Sequence, residues 1–185
     1  MLSDNTDTVD VGSFKVAHKL WYRAEEVIVP DGVSAVDQTA FQKCYELEKV
    51  ILPSGLKTIG YSAFNLCTKL KSIDLPDGLE FIENDAFRNC SSLDDITIPQ
   101  NVIIGVHAFY DCVSLKNVKM NYPVKVFEVR YKSIDMCEGD FQESDFIDKV
   151  VTEISNEEEL CEHFRIFMGS PFGKYLYDKY VSGKE

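Results

Sequence analysis

The sequence predicts an α/β repeat protein, a short solenoid of about four to five coils with parallel strands, followed by a small helical C-terminal subdomain. The main observation is a repeat of 23 residues in the prolines, at Pro30, Pro53, Pro76 and Pro99. Ala-Phe pairs recur at nearly the same interval, each followed three residues later by a cysteine: Cys44, Cys67, Cys90 or Cys112. One coil of this length cannot bury its own apolar side, so neighbouring coils must stack and share a core.

Each unit begins with a short apolar segment that alternates between apolar and polar residues, as in Ile73-Asp74-Leu75. This alternation is typical of a half-buried strand, and the proline that follows ends the strand because it lacks an N–H donor. Two residues after each proline we expect a turn with positive φ, at Gly32, Gly55, Gly78 and Asn101.

The flanks of the repeat predict three parts: a tail and N-terminal cap (1–23), the solenoid (24–122), and a strand with a helical C-terminal cap (123–185). In the first part, Trp21 is expected to cover the first coil, because a solenoid would otherwise expose an apolar end. In the last part, alternating apolar residues from Val124 to Ile134 predict further strand.

Three helical segments are predicted beyond that strand. Ser144 is expected to cap the first, which places Phe146, Val150 and Ile154 at helical spacing. Ser155 and Glu158 form a capping-box pattern for the second segment. The third begins at Ser170-Pro171, where a capping residue precedes a proline suited to the first helical position.

These repeat units resemble the BspA-like leucine-rich repeats, whose pattern joins Ile-x-Ile-Pro, an aliphatic-x-x-Ile-Gly step, Ala-Phe, Cys and Leu. The best match runs through Ile59-Gly60, Ala63-Phe64 and Cys67, whereas Val36-Asp37 and Ile82-Glu83 lack the glycine. The resemblance covers about residues 24–120. It implies a leucine-rich-repeat solenoid and an interaction scaffold of a kind found in many surface proteins, and it does not name a ligand.

Composition narrows the classes of partner. Nineteen Lys and Arg residues against 31 Asp and Glu give a net charge of −12, which disfavours binding to nucleic acid. No apolar run approaches the roughly 20 residues that cross a bilayer, so membrane insertion is not expected. The N-terminal residues lack the features of a secretory signal. A complete chain would therefore be cytoplasmic, and one from which a signal peptide had been removed would be secreted or at the cell surface.

No cofactor or metal is expected. The repeat cysteines occur once per coil at the same position, which predicts a buried column of thiols. Zinc sites need closely spaced ligands such as Cys-x-x-Cys, which this sequence lacks.

The candidate binding residues lie on the exposed side of the repeated strands. The central position of this side is occupied in successive coils by Ile28, Ile51, Asp74, Thr97 and Lys119. Adjacent isoleucines are unexpected on an exposed face, so either the N-terminal cap covers them or they contact a partner or a second copy. A second candidate contact is the aromatic end of the chain, with Tyr175, Tyr177 and Tyr180.

The sequence therefore favours a non-enzymatic protein–protein interaction module, an adhesion protein or a scaffold, with a protein partner of unknown identity. The alternative is a self-associating structural protein that forms a homodimer. An enzyme is the least favoured class, because it would need catalytic groups that converge between the sheet and residues 135–185, and no such set stands out.

Overall fold

A computed structural model describes residues 23–131 and 146–182 of the chain. The predicted N-terminal cap with Trp21 lies outside the described residues, as does Ser144. Within the described part the chain is a solenoid with parallel strands and a small helical C-terminal segment, as predicted.

Each coil contributes two short strands, and each set of strands stacks in parallel along the solenoid. The first strands of the coils are β1 (Glu26–Ile28), β3 (Lys49–Ile51), β5 (Ser72–Ile73), β7 (Asp95–Ile98) and β9 (Asn117–Met120). Hydrogen bonds join them into the groups β1-β3-β5 and β7-β9. The second strands are β2 (Ala35–Val36), β4 (Thr58–Ile59), β6 (Phe81–Ile82), β8 (Ile103–Ile104) and β10 (Val124–Tyr131). These form one continuous sheet, here called the second sheet.

The Ala-Phe and Cys positions build the centre of the core. The rings of Phe41, Phe64, Phe87 and Phe109 stack nearly parallel, with centroids 5.1–5.2 Å apart. The four repeat cysteines are buried free thiols, which confirms the predicted column. Each of the last three donates from Sγ to the carbonyl oxygen of the phenylalanine in the preceding coil; the distance is 3.1 Å for Cys67, Cys90 and Cys112.

The turn prediction is correct at only two of its four positions. Gly32 and Asn101 have positive φ, at 90° and 63°, but Gly55 and Gly78 do not. The same four-residue turn closes in all three coils, because Val33, Leu56 and Leu79 each donate to the carbonyl of the preceding proline. Such a turn forms with either sign of φ at its third residue, so glycine is not required at positions 55 and 78. Positive φ occurs instead at two positions of every coil that the sequence did not reveal, just before Ala and just before Cys: Thr39, Lys43, Ser62, Leu66, Asp85, Asn89, His107 and Asp111.

The first predicted helix of the C-terminal part is wrong, because residues 146–154 form strand β11 (Phe146–Ile154). β11 runs antiparallel to β10, with Val124 opposite Ile154 and Phe127 opposite Val151. Apolar residues at helical spacing here also satisfy a strand, and many of them are β-branched, which favours a sheet. β10 extends well beyond its short parallel pairing with β8, which leaves a long partner for β11.

The other two predicted helices are present. Helix α1 (Glu157–Cys161) begins one residue later than predicted, because Asn156 Oδ1, not Ser155, accepts from the N–H of Glu159 at 3.0 Å. The Glu159 carboxylate accepts in return from the Ser155 N–H at 2.7 Å. Helix α2 (Pro171–Tyr180) is capped by Ser170, as predicted, whose Oγ accepts from the Gly173 N–H at 3.0 Å.

A short 3-10 helix (Phe164–Phe167) lies between α1 and α2 and completes the last coil. Phe109 donates its N–H to the carbonyl of Ile166 at 2.9 Å, as Phe87 donates to Ala108 at 2.8 Å in the coil before. Ile166-Phe167 therefore takes the place of an Ala-Phe pair. In the preceding coil Phe109 follows Ile104 by five positions, whereas Phe167 follows Val126 by 41 positions. The last coil thus contains an insertion that includes β11 and α1.

Candidate functional site

The strand face is the outward side of β1, β3, β5, β7 and β9, and all five predicted central residues are exposed on it. Ile28 is 63% exposed and Ile51 is 40% exposed, although both are large apolar side chains. They stand opposite each other in register, as do Thr97 and Lys119 further along. Among the described residues, nothing covers these two adjacent isoleucines at this end of the face; the N-terminal cap that the sequence offered as their cover lies outside that part of the chain.

Ion pairs border these isoleucines. Lys49 Nζ lies 2.8 Å from the Glu26 carboxylate, and Lys71 Nζ lies 2.8 Å from that of Glu48. Each pair joins neighbouring coils, and the Lys71 hydrogen bond lowers the pKa of Glu48. Because these pairs are exposed, they add little stability, but they neutralise charge beside Ile28 and Ile51. This end of the face is therefore an apolar pair bordered by two ion pairs.

The opposite end of the face forms a cavity with the C-terminal helices. The strands contribute Asp95, Thr97, Asn117 and Lys119, and the helical segment contributes Glu157, Phe172 and Tyr175. The cavity has a volume of about 520 Å³. Partial burial raises the pKa of Asp95, and the carboxylates of Asp94 and Asp74 raise it further. Thr97 and Lys119, which were predicted as strand-face contacts, thus line the same cavity as Tyr175, which was predicted as a C-terminal contact.

Glu157 organises the helical wall of this cavity. Its carboxylate accepts hydrogen bonds from Tyr175 Oη (3.2 Å), Tyr180 Oη (3.0 Å) and Lys179 Nζ (3.0 Å). Burial acts to raise the pKa of Glu157, but these three donors outweigh it and lower the pKa. Hydrogen bonds with Tyr175, Tyr180 and Glu157 raise the pKa of Lys179. Tyr175 and Tyr180 therefore both donate to one half-exposed carboxylate.

Tyr177 does not join this cluster. It lines a different, shallow cavity of about 630 Å³ beside Val113 and Pro171. The three tyrosines predicted as one contact therefore divide between two surfaces. Sequence reasoning missed Glu157 and Lys179; the four-residue spacing of Tyr175 and Lys179 on one helix was the available signal.

Residues 23–131 and 146–182 also bear on metal binding and on membrane insertion. In that part of the chain no group of three or more His, Cys, Asp or Glu side chains is placed to hold a metal ion. No helix there combines the length and apolar character required to traverse a bilayer.

The repeat geometry agrees with a comparison against known protein families. The profile of the BspA type leucine rich repeat region matches residues 17–138 in six copies. The chain belongs to the BspA-type leucine-rich repeat family. It is thus a repeat protein of a class whose extended sheet surfaces serve protein interaction.

Solved leucine-rich repeat proteins from bacteria resemble the BspA-type region. A T. pallidum leucine-rich repeat protein is 37% identical, with a TM-score of 0.48 over 54% of this chain and 53% of its own. A protein from Bacteroides ovatus is 34% identical, with a TM-score of 0.54 over 61% of this chain and 31% of its own. The chain therefore spans about half of the first relative and a third of the second. A comparison with curated proteins gave no match.

Proposed function

We propose that this BspA-type chain is a non-enzymatic binding module, an adhesion protein or scaffold, that recognises a protein partner with its strand face. The observation that carries the proposal is the exposed pair Ile28 and Ile51, opposite each other on β1 and β3. Large apolar side chains on a regular exposed sheet favour contact with another protein, because water is released when they are covered.

The far end of the strand face supports the same function. The cavity beside Thr97 and Lys119 offers a concave surface, and Tyr175 is fixed at its wall by Glu157. A tyrosine held in one conformation loses little entropy when a partner binds, which suits an interface anchor. In this proposal the apolar pair and the cavity contact one partner along the length of the face.

A photo-crosslinking amino acid at position 51 would identify the partner in extracts of the source organism and its surroundings. With that partner purified, we expect Ile51→Asp to weaken binding by about tenfold or more, because a carboxylate would be desolvated at the interface.

Val113→Asp is the matched control for this experiment. Val113 is 56% exposed but lies away from the strand face, so the same charge there should leave affinity unchanged. Equal affinity of the Ile51→Asp chain and the unmodified chain would refute recognition through this part of the face.

Self-association is a second candidate, favoured by the position of the isoleucine pair. β1 is the outer strand of its group among the described strands. Two copies could therefore associate there, with Ile28 and Ile51 of one copy packed against Ile28 and Ile51 of the other. Sedimentation over a wide concentration range tests this. A dimer that dissociates in the Ile51→Asp variant supports self-association, and a monomer at all concentrations excludes it.

A further inference from the structure

We propose that the second sheet carries a separate binding site for a small organic cation with an apolar body. The site is a cavity of about 440 Å³ on the outer face of that sheet, away from the strand face. Its walls include three aromatic residues (Tyr61, Phe81 and Phe127), the aliphatic residues Ile103 and Val151, and the polar residues Glu83 and Asn84. Cavities of a few hundred Å³ with apolar walls and few polar groups are typical of small-molecule sites.

The apolar walls are local to this part of the sheet. At the position of Phe81, neighbouring coils have Ala35 and Thr58 on one side and Ile103 and Lys125 on the other. Phe81 is 40% exposed and Tyr61 is 47% exposed. An aromatic ring at this position is not needed to build the repeat, since the other coils fold with alanine, threonine, isoleucine or lysine there.

The inserted strand β11 makes the surface concave. Val151 stands opposite Phe127 in the antiparallel pair and is half-exposed. β10 and β11 therefore add a wall that the simple repeat does not provide. The insertion in the last coil thus has a direct effect on the shape of the second sheet.

Glu83 places a negative charge in this apolar setting. It follows β6 at the position where two other coils have glycine, Gly60 and Gly105. Ile82, Ile104 and Val126 are aligned in register, so Glu83 and Phe127 flank Gly105, which adds no side chain between them. One oxygen of Glu83, Oε2, accepts from the Tyr61 N–H at 2.8 Å. The other oxygen is available to a ligand, with no bond to it from the described residues.

The combination of aromatic rings and a carboxylate selects for positive charge. Aromatic rings attract ammonium groups through their negative faces, and a carboxylate accepts a charge-assisted hydrogen bond. Lys125 lies on the same face, but it stands opposite Glu153 across β10 and β11 and is not part of the cavity wall. We therefore assign the ligand as an aryl- or alkylammonium compound, with its apolar body on Phe81, Ile103 and Val151.

The test compares three probes of the same shape: naphthylmethylammonium, naphthylmethanol and naphthoate. Binding to the full chain is followed by NMR, through amide shifts of Ile103 and Gly105. We expect the ammonium probe to bind about tenfold more tightly than the neutral alcohol, and the anionic naphthoate to bind most weakly. Equal affinities for the three probes, or no binding by any of them, would overturn the proposal.

Two variants and two controls locate the site. Glu83→Gln should remove the preference for the ammonium probe over the alcohol. Phe81→Ala should lower the affinity for both of these probes by the same factor. Glu80→Gln removes an exposed carboxylate of the same coil, which pairs with Lys57 and lies outside the cavity. It should therefore leave the affinities for the ammonium and alcohol probes unchanged. If Glu80→Gln and Glu83→Gln lowered the affinity for the ammonium probe equally, the preference for that probe would reflect only the general attraction of a cation to an acidic protein, and the assigned site would be wrong. Ile51→Asp should leave probe binding unchanged, which separates this site from the strand face.

Discussion

The ring of Phe167 stacks on that of Phe109 with centroids 5.3 Å apart and planes 6° from parallel. This repeats the contact between Phe87 and Phe109 in the coil before, at 5.2 Å and 1°. The last ring of the core column therefore comes from the C-terminal segment, 41 residues after the strand residue Val126. The C-terminal segment closes the apolar end of the solenoid, as an end cap of a repeat protein must.

Replacement of this ring should destabilise the whole described solenoid. Phe167 is fully buried, so we expect Phe167→Ala to lower the free energy of unfolding by about 3–5 kcal/mol. Tyr177→Ala is the control, because Tyr177 is an exposed aromatic residue of the same segment. This variant should lower the free energy of unfolding by less than about 1 kcal/mol. Urea denaturation followed by circular dichroism measures both. Similar losses for the two variants would contradict the role of Phe167 as an end cap.

The stacking of Phe167 on Phe109 also limits which variants can test the function of the C-terminal segment. A chain truncated after Pro123 lacks Phe167 and leaves Phe109 uncovered, so a loss of binding would not distinguish a missing site from a damaged core. Point variants at the exposed Tyr175 or at Ile51 test the two ends of the strand face without removing the cap.

Gly169 should tolerate no side chain. Its φ is +82°, and a Cβ there would lie 2.1 Å from Oδ1 of Asp111. We expect Gly169→Ala to cost about 1–3 kcal/mol, from backbone strain and from displacement of Asp111, whose N–H bonds to Met168. Gly55→Ala is the matched control, because its φ is not positive and a Cβ would meet no described atom within 4 Å. Thermal unfolding should show a lower midpoint for Gly169→Ala only.

The periodic part of the fold was predictable because each landmark recurs at a fixed interval. The alternation around Ile73 and the column of cysteines required no partner beyond the adjacent coil, and both are present. The Ile166-Phe167 pair could not be recognised, since an insertion separates it from its coil and isoleucine replaces the expected alanine. For β11, the pattern from Phe146 to Ile154 fits helix and strand equally, and the exposed length of β10 decides between them.

The candidate site was predictable only where it depends on the repeat. The exposed positions of Ile28 and Ile51 follow from the alternation of a single strand. The cavity with Tyr175 depends on where α2 lies relative to β9, which is a tertiary arrangement without a local signal. The cavity that Glu83 lines also had no local signal, because it is formed with Phe127 and Val151, which lie far along the chain.

The buried thiols predict a loss of stability at alkaline pH. Burial raises the pKa of Cys44 to about 11 and that of Cys112 to about 12, and it raises the pKa values of Cys67 and Cys90 well above the ordinary 9.0. Above pH 9 the unfolded chain releases these protons while the folded chain keeps them. Stability from the thiols is therefore complete below pH 9 and is lost as the pH rises toward 11.

Urea denaturation between pH 7 and pH 10.5 measures this effect. Because Lys and Tyr also titrate near the upper limit, the control is a chain with Cys67→Ala and Cys90→Ala, which should show a clearly shallower decline above pH 9. The same decline in both chains would assign the pH dependence to groups other than the thiols.

The Glu157 cluster predicts a second pH dependence, at the acidic end. Because hydrogen bonds from Lys179, Tyr180 and Tyr175 lower the pKa of Glu157 in the folded chain, its contribution is complete above the ordinary pKa of 4.5. It is lost as the pH falls through the lowered value. Glu157→Ala should lower stability at pH 7 by about 1 kcal/mol, a modest amount because the cluster is largely exposed. It should also release Tyr175 from the cavity wall.

Glu162→Ala is the control for this prediction, because Glu162 is an exposed glutamate that follows α1 outside the cluster. Stability of the unmodified, Glu157→Ala and Glu162→Ala chains would be compared from pH 7 to pH 3. The difference between the first two should be constant down to about pH 5 and shrink below the ordinary glutamate pKa. A difference that does not change with pH would show that Glu157 acts by packing alone, and that its charge does not hold the three donors.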